Sequence, residues 1–218
     1  INQGMLLGVR DRDLRVFRGI PFAGPPIGEW RWRPPRPAST WRGTRDASAF
    51  GPACPQPIRP NYNEEDLAGR PMSEDCLHLN VWTPAAEGGA RLPVMLWLLP
   101  GGFTVGDASM AIYDGAALAR RGVVVVTFNY RLGLFGTFAH PAMSRAQANE
   151  PLGNYNLMDQ VAAMRWVRSN IAAFGGDPGN VTLFGMSAGG MSVNYQLASP
   201  ASAGLFDKAI SQSSALRM

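Results

Sequence analysis

The sequence predicts an α/β chain built on a mixed, mostly parallel central sheet with flanking helices. Three observations carry that expectation. Residues 94–99, 123–128 and 181–184 are continuous apolar runs of strand length, which suits central strands covered on both faces. Residues 157–174 place Leu157, Val161, Met164, Val167, Ile171 and Phe174 at spacings of three or four, as an amphipathic helix does, and Gly175-Gly176 ends it. Strand and helix patterns alternate from residue 94 onward.

The elements follow in order. Residues 6–10 and 14–20 are expected as small antiparallel strands, broken by the turn-prone Asp11-Arg12-Asp13. Residues 21–37 are too rich in proline for a helix and must be extended. The segment from Cys54 to Cys76 is polar and loop-like, and residues 77–83 alternate as a half-buried strand would. After the run at 94–99 comes Pro100-Gly101-Gly102, then a helix at 114–121 and the strand at 123–128. The strand at 181–184 leads into Gly185, a helix occupies 191–197, and a last strand occupies 208–213. No linker divides the chain, so residues 1–218 are expected within one domain.

Composition narrows the function. Of the 218 residues 46% are hydrophobic, enough for a sizeable core. The net charge is +4, but the arginines are scattered and Lys208 is the only lysine, so no basic stripe suggests nucleic acid. No run is long and apolar enough to span a membrane. The two cysteines lie outside any CxxC and have no histidine at zinc-ligand spacing, so neither a metal nor another cofactor is expected. By count alone they are either a disulfide or two free thiols.

The chemistry centres on Gly185-Met186-Ser187-Ala188-Gly189. The pentapeptide alone is weak evidence, but here a strand precedes it and a helix-compatible run follows, the setting of a nucleophile elbow in an α/β-hydrolase. Ser187 is the expected nucleophile. The Ala188 N–H would face a developing oxyanion from a helix N-terminus. Gly101 and Gly102 could add two more donors, although the same pair also suits an ordinary β-turn after a strand. His78 and His140 both precede Ser187, whereas the base of this fold follows the nucleophile, so both are expected to be structural. Asp159, Glu74 and Asp75 are expected in packing or turn contacts.

These blocks together resemble the type B carboxylesterase family, which includes cholinesterases and bacterial para-nitrobenzyl esterases. The resemblance runs through Arg18-Gly19-Ile20-Pro21-Phe22, Phe50-Gly51-Pro52-Ala53-Cys54 and Ser73-Glu74-Asp75-Cys76-Leu77-His78-Leu79-Asn80-Val81. It continues in Asn129-Tyr130-Arg131-Leu132-Gly133, Gly153-Asn154-Tyr155, Asp159-Gln160, residues 170–178 and 181–190, and Ser211-Gln212-Ser213. It implies ester hydrolysis through an acyl-enzyme on Ser187, an oxyanion hole at Gly101, Gly102 and Ala188, and a disulfide between Cys54 and Cys76. That bond would favour a secreted or periplasmic setting, with a cytoplasmic one left open.

Three departures stand out: Leu99-Pro100 where the family has His-Gly, Met186 where it has Glu, and Asn156 where it has Gly. The triad acid and histidine of the family follow the nucleophile at positions beyond Met218. The chain is therefore expected to be the N-terminal part of the fold, completed by a second polypeptide or segment that carries both. Tyr62 is the sole aromatic between Cys54 and Cys76, where cholinesterases hold choline on a tryptophan; a broad or specialised microbial-type ester substrate is expected instead. A catalytically inactive interaction module and a serine acyltransferase or amidase are the alternatives.

Overall fold

The computed structural model describes residues 1–86 and 89–214. The chain opens with β1 (Met5–Leu7), β2 (Val9–Asp11), β3 (Leu14–Pro21) and β4 (Thr44–Asp46). Helix α1 (Glu64–Leu67), β5 (His78–Thr83), β6 (Leu92–Leu98), α2 (Ala116–Ala119) and β7 (Val124–Phe128) come next. Then follow α3 (Gly133–Thr137), α4 (Pro141–Ala146), α5 (Tyr155–Asn170), β8 (Gly176–Met186), α6 (Ala188–Ala198) and β9 (Lys208–Gln212).

Seven strands make one sheet in the order β2-β3-β5-β7-β6-β8-β9. β7, β6, β8 and β9 run parallel, while β2, β3 and β5 pair antiparallel. The expected mixed sheet with an antiparallel N-terminal portion is present. Alternation along β7 divides the core: Val124 and Val126 join the cluster with Leu96, Leu183, Met164 and Val167, and Val125 joins Leu14, Val16, Trp82 and Ala119. Helices α5 and α6 therefore pack on one face and α2 on the other. Among the described residues no helix is long and apolar enough to cross a membrane.

Several expectations need correction. The strand foreseen at 6–10 is two strands, because Gly8 presses against the neighbouring backbone; a Cβ there would lie 2.5 Å from the Val16 carbonyl oxygen. β5 is buried on both faces rather than half-buried. Its polar residues are inside because they are bonded: Asn80 accepts from the Gly19 N–H at 3.0 Å and donates to Thr127 at 3.1 Å, and Thr83 donates to the Phe174 carbonyl at 2.7 Å. The helix expected at 114–121 shrinks to α2, whose N-cap is Gly115; Asp114 stands outside it, its carboxylate accepting from the Ala116 N–H at 2.8 Å in a turn. The helix expected at 157–174 is α5 followed by a 3₁₀ turn at Ile171–Phe174, and Gly175 at φ 81° ends it. α1, which falls in the segment expected as loop, and β4, α3 and α4 were not foreseen.

Cys54 and Cys76 form a disulfide with their Cα atoms 5.0 Å apart. Closing that loop should stabilise the fold by about 3 kcal/mol. Replacing both cysteines by alanine should lower the urea midpoint accordingly, and an unchanged midpoint would show that the bond adds no stability.

Candidate active site

The apolar residues Val181, Leu183 and Gly185 of β8 point to the core, so the strand delivers the next turn to the C-terminal edge of the sheet. Ser187 caps α6 there, exposed, at φ 54° and ψ −121°. A residue with a side chain is strained in that region. The surroundings hold it: the Ser187 N–H donates to the Gln212 carbonyl of β9 at 2.9 Å, and its carbonyl accepts from the Met191 N–H at 2.8 Å.

The two glycines of the pentapeptide are demanded by close approach. A Cβ on Gly185 would lie 2.6 Å from the Gly189 backbone, and one on Gly189 would lie 2.1 Å from the Leu98 carbonyl oxygen. A Gly189→Ala variant must push β6 and α6 apart. We expect a loss of about 3 kcal/mol with slowed Ser187 acylation, both readable by thermal denaturation and fluorophosphonate labelling.

β6 lies beside β8 with Leu98 level with Gly185, so the loop after β6 leaves the sheet next to Ser187. Gly101 and Gly102 have φ values of 109° and 62°, open to glycine and costly for other residues. Among the described residues the N–H groups of Gly101, Gly102 and Ala188 have no acceptor. A Cβ on Gly101 would sit 1.9 Å from the Val105 carbonyl oxygen, so the loop is a tight coil behind its exposed donors. The expected nucleophile and the three expected donors thus gather at the ends of two adjacent parallel strands. A cleft of about 420 Å³, lined by Phe103, Asn156, Leu157 and Tyr195, touches the loop after β6 at Phe103 but contains none of the pentapeptide. Another, of about 490 Å³, lies between the proline-rich segment and α5 and contains none of the pentapeptide.

The histidines lie elsewhere. β7 and β6 separate β5 from β8, which puts the strands carrying His78 and Ser187 roughly 14 Å apart. His78 is buried with its ring against Gly51, and burial pushes its pKa below the usual imidazole value. Its Nδ1 lacks a hydrogen bond among the described residues, and packing against Gly51 holds the ring. His140 caps α4, accepting from the Ala142 N–H at 3.1 Å. Two of the acids are paired: Glu74 takes Arg31 bidentately at 2.5 Å, and Asp159 holds Arg131 just before α3, while Asp75 sits in a turn with its backbone N–H donating to Ser73 Oγ.

The loop's supports were not visible in the sequence. Tyr130 donates to the Leu99 carbonyl at 2.7 Å, and the Gly133 N–H donates to the Phe103 carbonyl at 2.7 Å. Tyr130 and Gly133 stand in one of the blocks carrying the family resemblance, the single available signal.

Comparison with known proteins decides the family. The description "Carboxylesterase family" matches residues 1–218. The chain belongs to the carboxylesterase family. It is 49% identical over 213 residues to a fumonisin B1 esterase of Sphingopyxis macrogoltabida, a match covering 98% of this chain and 39% of that protein. It is 47% identical over 218 residues to the para-nitrobenzyl esterase of Bacillus subtilis (strain 168), covering 98% and 43%. A solved thermophilic PNB esterase superposes with a TM-score of 0.90 at 44% identity, covering 98% of this chain and 43% of that one. The chain thus spans about two fifths of the length of these relatives, and its fold is the α/β-hydrolase fold.

Against that family frame the three departures find places. Leu99 is buried, its carbonyl taken by Tyr130. Met186 is 40% exposed, beside an apolar groove with Trp97 and Phe184, so little packing replaces the polar group. Asn156 is buried at the start of α5, its side-chain oxygen accepting from the Leu157 N–H at 2.9 Å.

Proposed function

We propose that this carboxylesterase-family chain carries the nucleophilic half of a serine esterase and is the N-terminal part of a single α/β-hydrolase domain. The observation that carries this is Ser187, held at φ 54° at the end of β8 with three unclaimed N–H groups beside it. Ser187 Oγ would attack the ester carbonyl, and Gly101, Gly102 and Ala188 would bind the oxyanion as the alcohol leaves. Neither His78 nor His140 can serve as base from its position. A histidine and a carboxylate from outside these residues would take the Ser187 proton and return it to the leaving alcohol. Nothing in the comparisons supports a separate second polypeptide for them. In each named relative the matching segment is part of one longer chain, which favours contiguous sequence.

The substrate class is a small carboxylic ester, the class named for the relatives. The Cys54–Cys76 bond supports a secreted or periplasmic location. Fluorophosphonate labelling of the full-length protein, read by peptide mass spectrometry, tests the site: an adduct on Ser187 is expected. Complete, folded protein with no adduct there would overturn the reading.

A further inference from the structure

The loop bearing Gly101 and Gly102 is anchored at its near end by buried Leu99, whose carbonyl Tyr130 holds. Pro100, next along, has no N–H to add a further bond. The far end is built differently. Gly106, at φ 128°, folds back until a Cβ there would lie 3.0 Å from the Pro100 carbonyl oxygen, closing residues 100–106 into a ring-like turn. Within it the Gly101 carbonyl accepts from the Thr104 and Val105 N–H groups, both at 3.1 Å.

Arg59 reaches Thr104 at 3.3 Å and the Gly133 N–H holds Phe103, but the end of the turn is gripped by another side chain. Gln56, in the disulfide loop, pairs with both sides of Gly106: its Oε1 accepts from the Gly106 N–H at 2.7 Å and its Nε2 donates to the Gly106 carbonyl at 2.8 Å. Its other valences are filled as well. Nε2 also donates to the Cys54 carbonyl at 3.1 Å, and Oε1 also accepts from Asn63 Nδ2 at 3.0 Å. An amide has two donors and two acceptor sites, and here all four are used, so its orientation is fixed. Asn63 is wholly buried and is itself held by the Arg59 N–H at 2.7 Å.

We infer that Gln56 is a positioning residue of the oxyanion hole, helping to set Gly101 and Gly102 by clamping Gly106 to the disulfide loop. This rests on the ester-hydrolase reading of Ser187. Gln56 touches no reacting atom; it acts through the backbone. Donors must lie within a few tenths of an ångström of the developing oxyanion, and misplacement costs rate rather than ground-state affinity.

The test uses full-length protein with Gln56→Met, which keeps the length and removes the hydrogen bonds. Expected are a kcat loss of about 10–100-fold, an equal loss of affinity for a trifluoromethyl ketone, and a KM within about twofold of the parent. Amide exchange at residues 101–106 should quicken. If Gln56→Met does not fold, Asn63→Asp retains the acceptor for Arg59 but removes the donor to Gln56, and should give the same pattern at smaller size. Unchanged exchange at residues 101–106 overturns the inference, as does faster exchange with unchanged kcat and ketone affinity. A kcat loss that merely follows the folded fraction also overturns it. Because exchange is read without substrate, it still decides whether Gln56 holds the loop if Ser187→Ala turns out to leave ester turnover intact, which would sink the reading of Ser187 instead.

Discussion

Ser187→Ala in the full-length protein is expected to lower kcat/KM for a short-chain nitrophenyl ester on the order of 10⁵-fold. The residual rate would come from the oxyanion donors and binding alone. The burst of nitrophenol from acylation should vanish with it. The side chain is exposed, so stability should change by less than about 0.5 kcal/mol. Ser187→Gly separates chemistry from strain. It removes the same hydroxyl but accepts φ 54° freely, and should be more stable than the parent by about 1 kcal/mol. A Ser187→Gly protein that is less stable than Ser187→Ala would show that this turn is not strained.

The largest stability effect is expected at Arg131. Its guanidinium is 3% exposed and its partner Asp159 is fully buried; Nε and Nη2 bond the two carboxylate oxygens at 2.8 Å, and the Arg131 N–H adds a third bond at 3.0 Å. Nη1 also reaches the Arg33 carbonyl at 2.9 Å, tying the proline-rich segment to α3 and α5. Burial pushes the Asp159 carboxyl above the usual range, and the charge and hydrogen bonds of Arg131 pull it back toward the carboxylate. Arg131→Met would leave that carboxyl buried without its counter-charge, at a cost of about 3–5 kcal/mol. The folded variant would then hold a proton that the unfolded chain releases. Its stability should fall as pH rises above the ordinary carboxylate range, so the deficit should be larger at pH 8 than at pH 5. The double variant Arg131→Met, Asp159→Leu should recover most of the loss. Chemical denaturation at both pH values checks all three statements, and a deficit independent of pH would refute the protonation argument.

The parallel strands and the Ser187 turn were legible because each is written in neighbouring residues: unbroken apolar runs, a helical period, and glycines on both sides of the serine. β5 was misjudged for a physical reason. Asn80 and Thr83 look like a solvent face, yet hydrogen bonds to Gly19, Thr127 and Phe174 bring them inside. Gln56 went unseen because its partner stands fifty positions away, and nothing in Pro55-Gln56-Pro57 marks that pairing. Asp114 was counted into a helix that it stands before, its carboxylate closing a turn onto the Ala116 N–H. The triad base and acid could not be read at all, because Ser187 has neither beside it within these residues.

The bond from the Ser187 N–H to Gln212 also bears on biosynthesis. β8 can pair with β6 as soon as it has left the ribosome, but the serine's turn is secured by a strand synthesised later. Position 190, too, has room for glycine alone, since a Cβ there would lie 2.7 Å from the Gln212 carbonyl oxygen. The nascent chain would therefore carry an unset serine until β9 is in place. The pentapeptide thus does not set its own serine: the conformation of Ser187 depends on β9, a strand further along the chain.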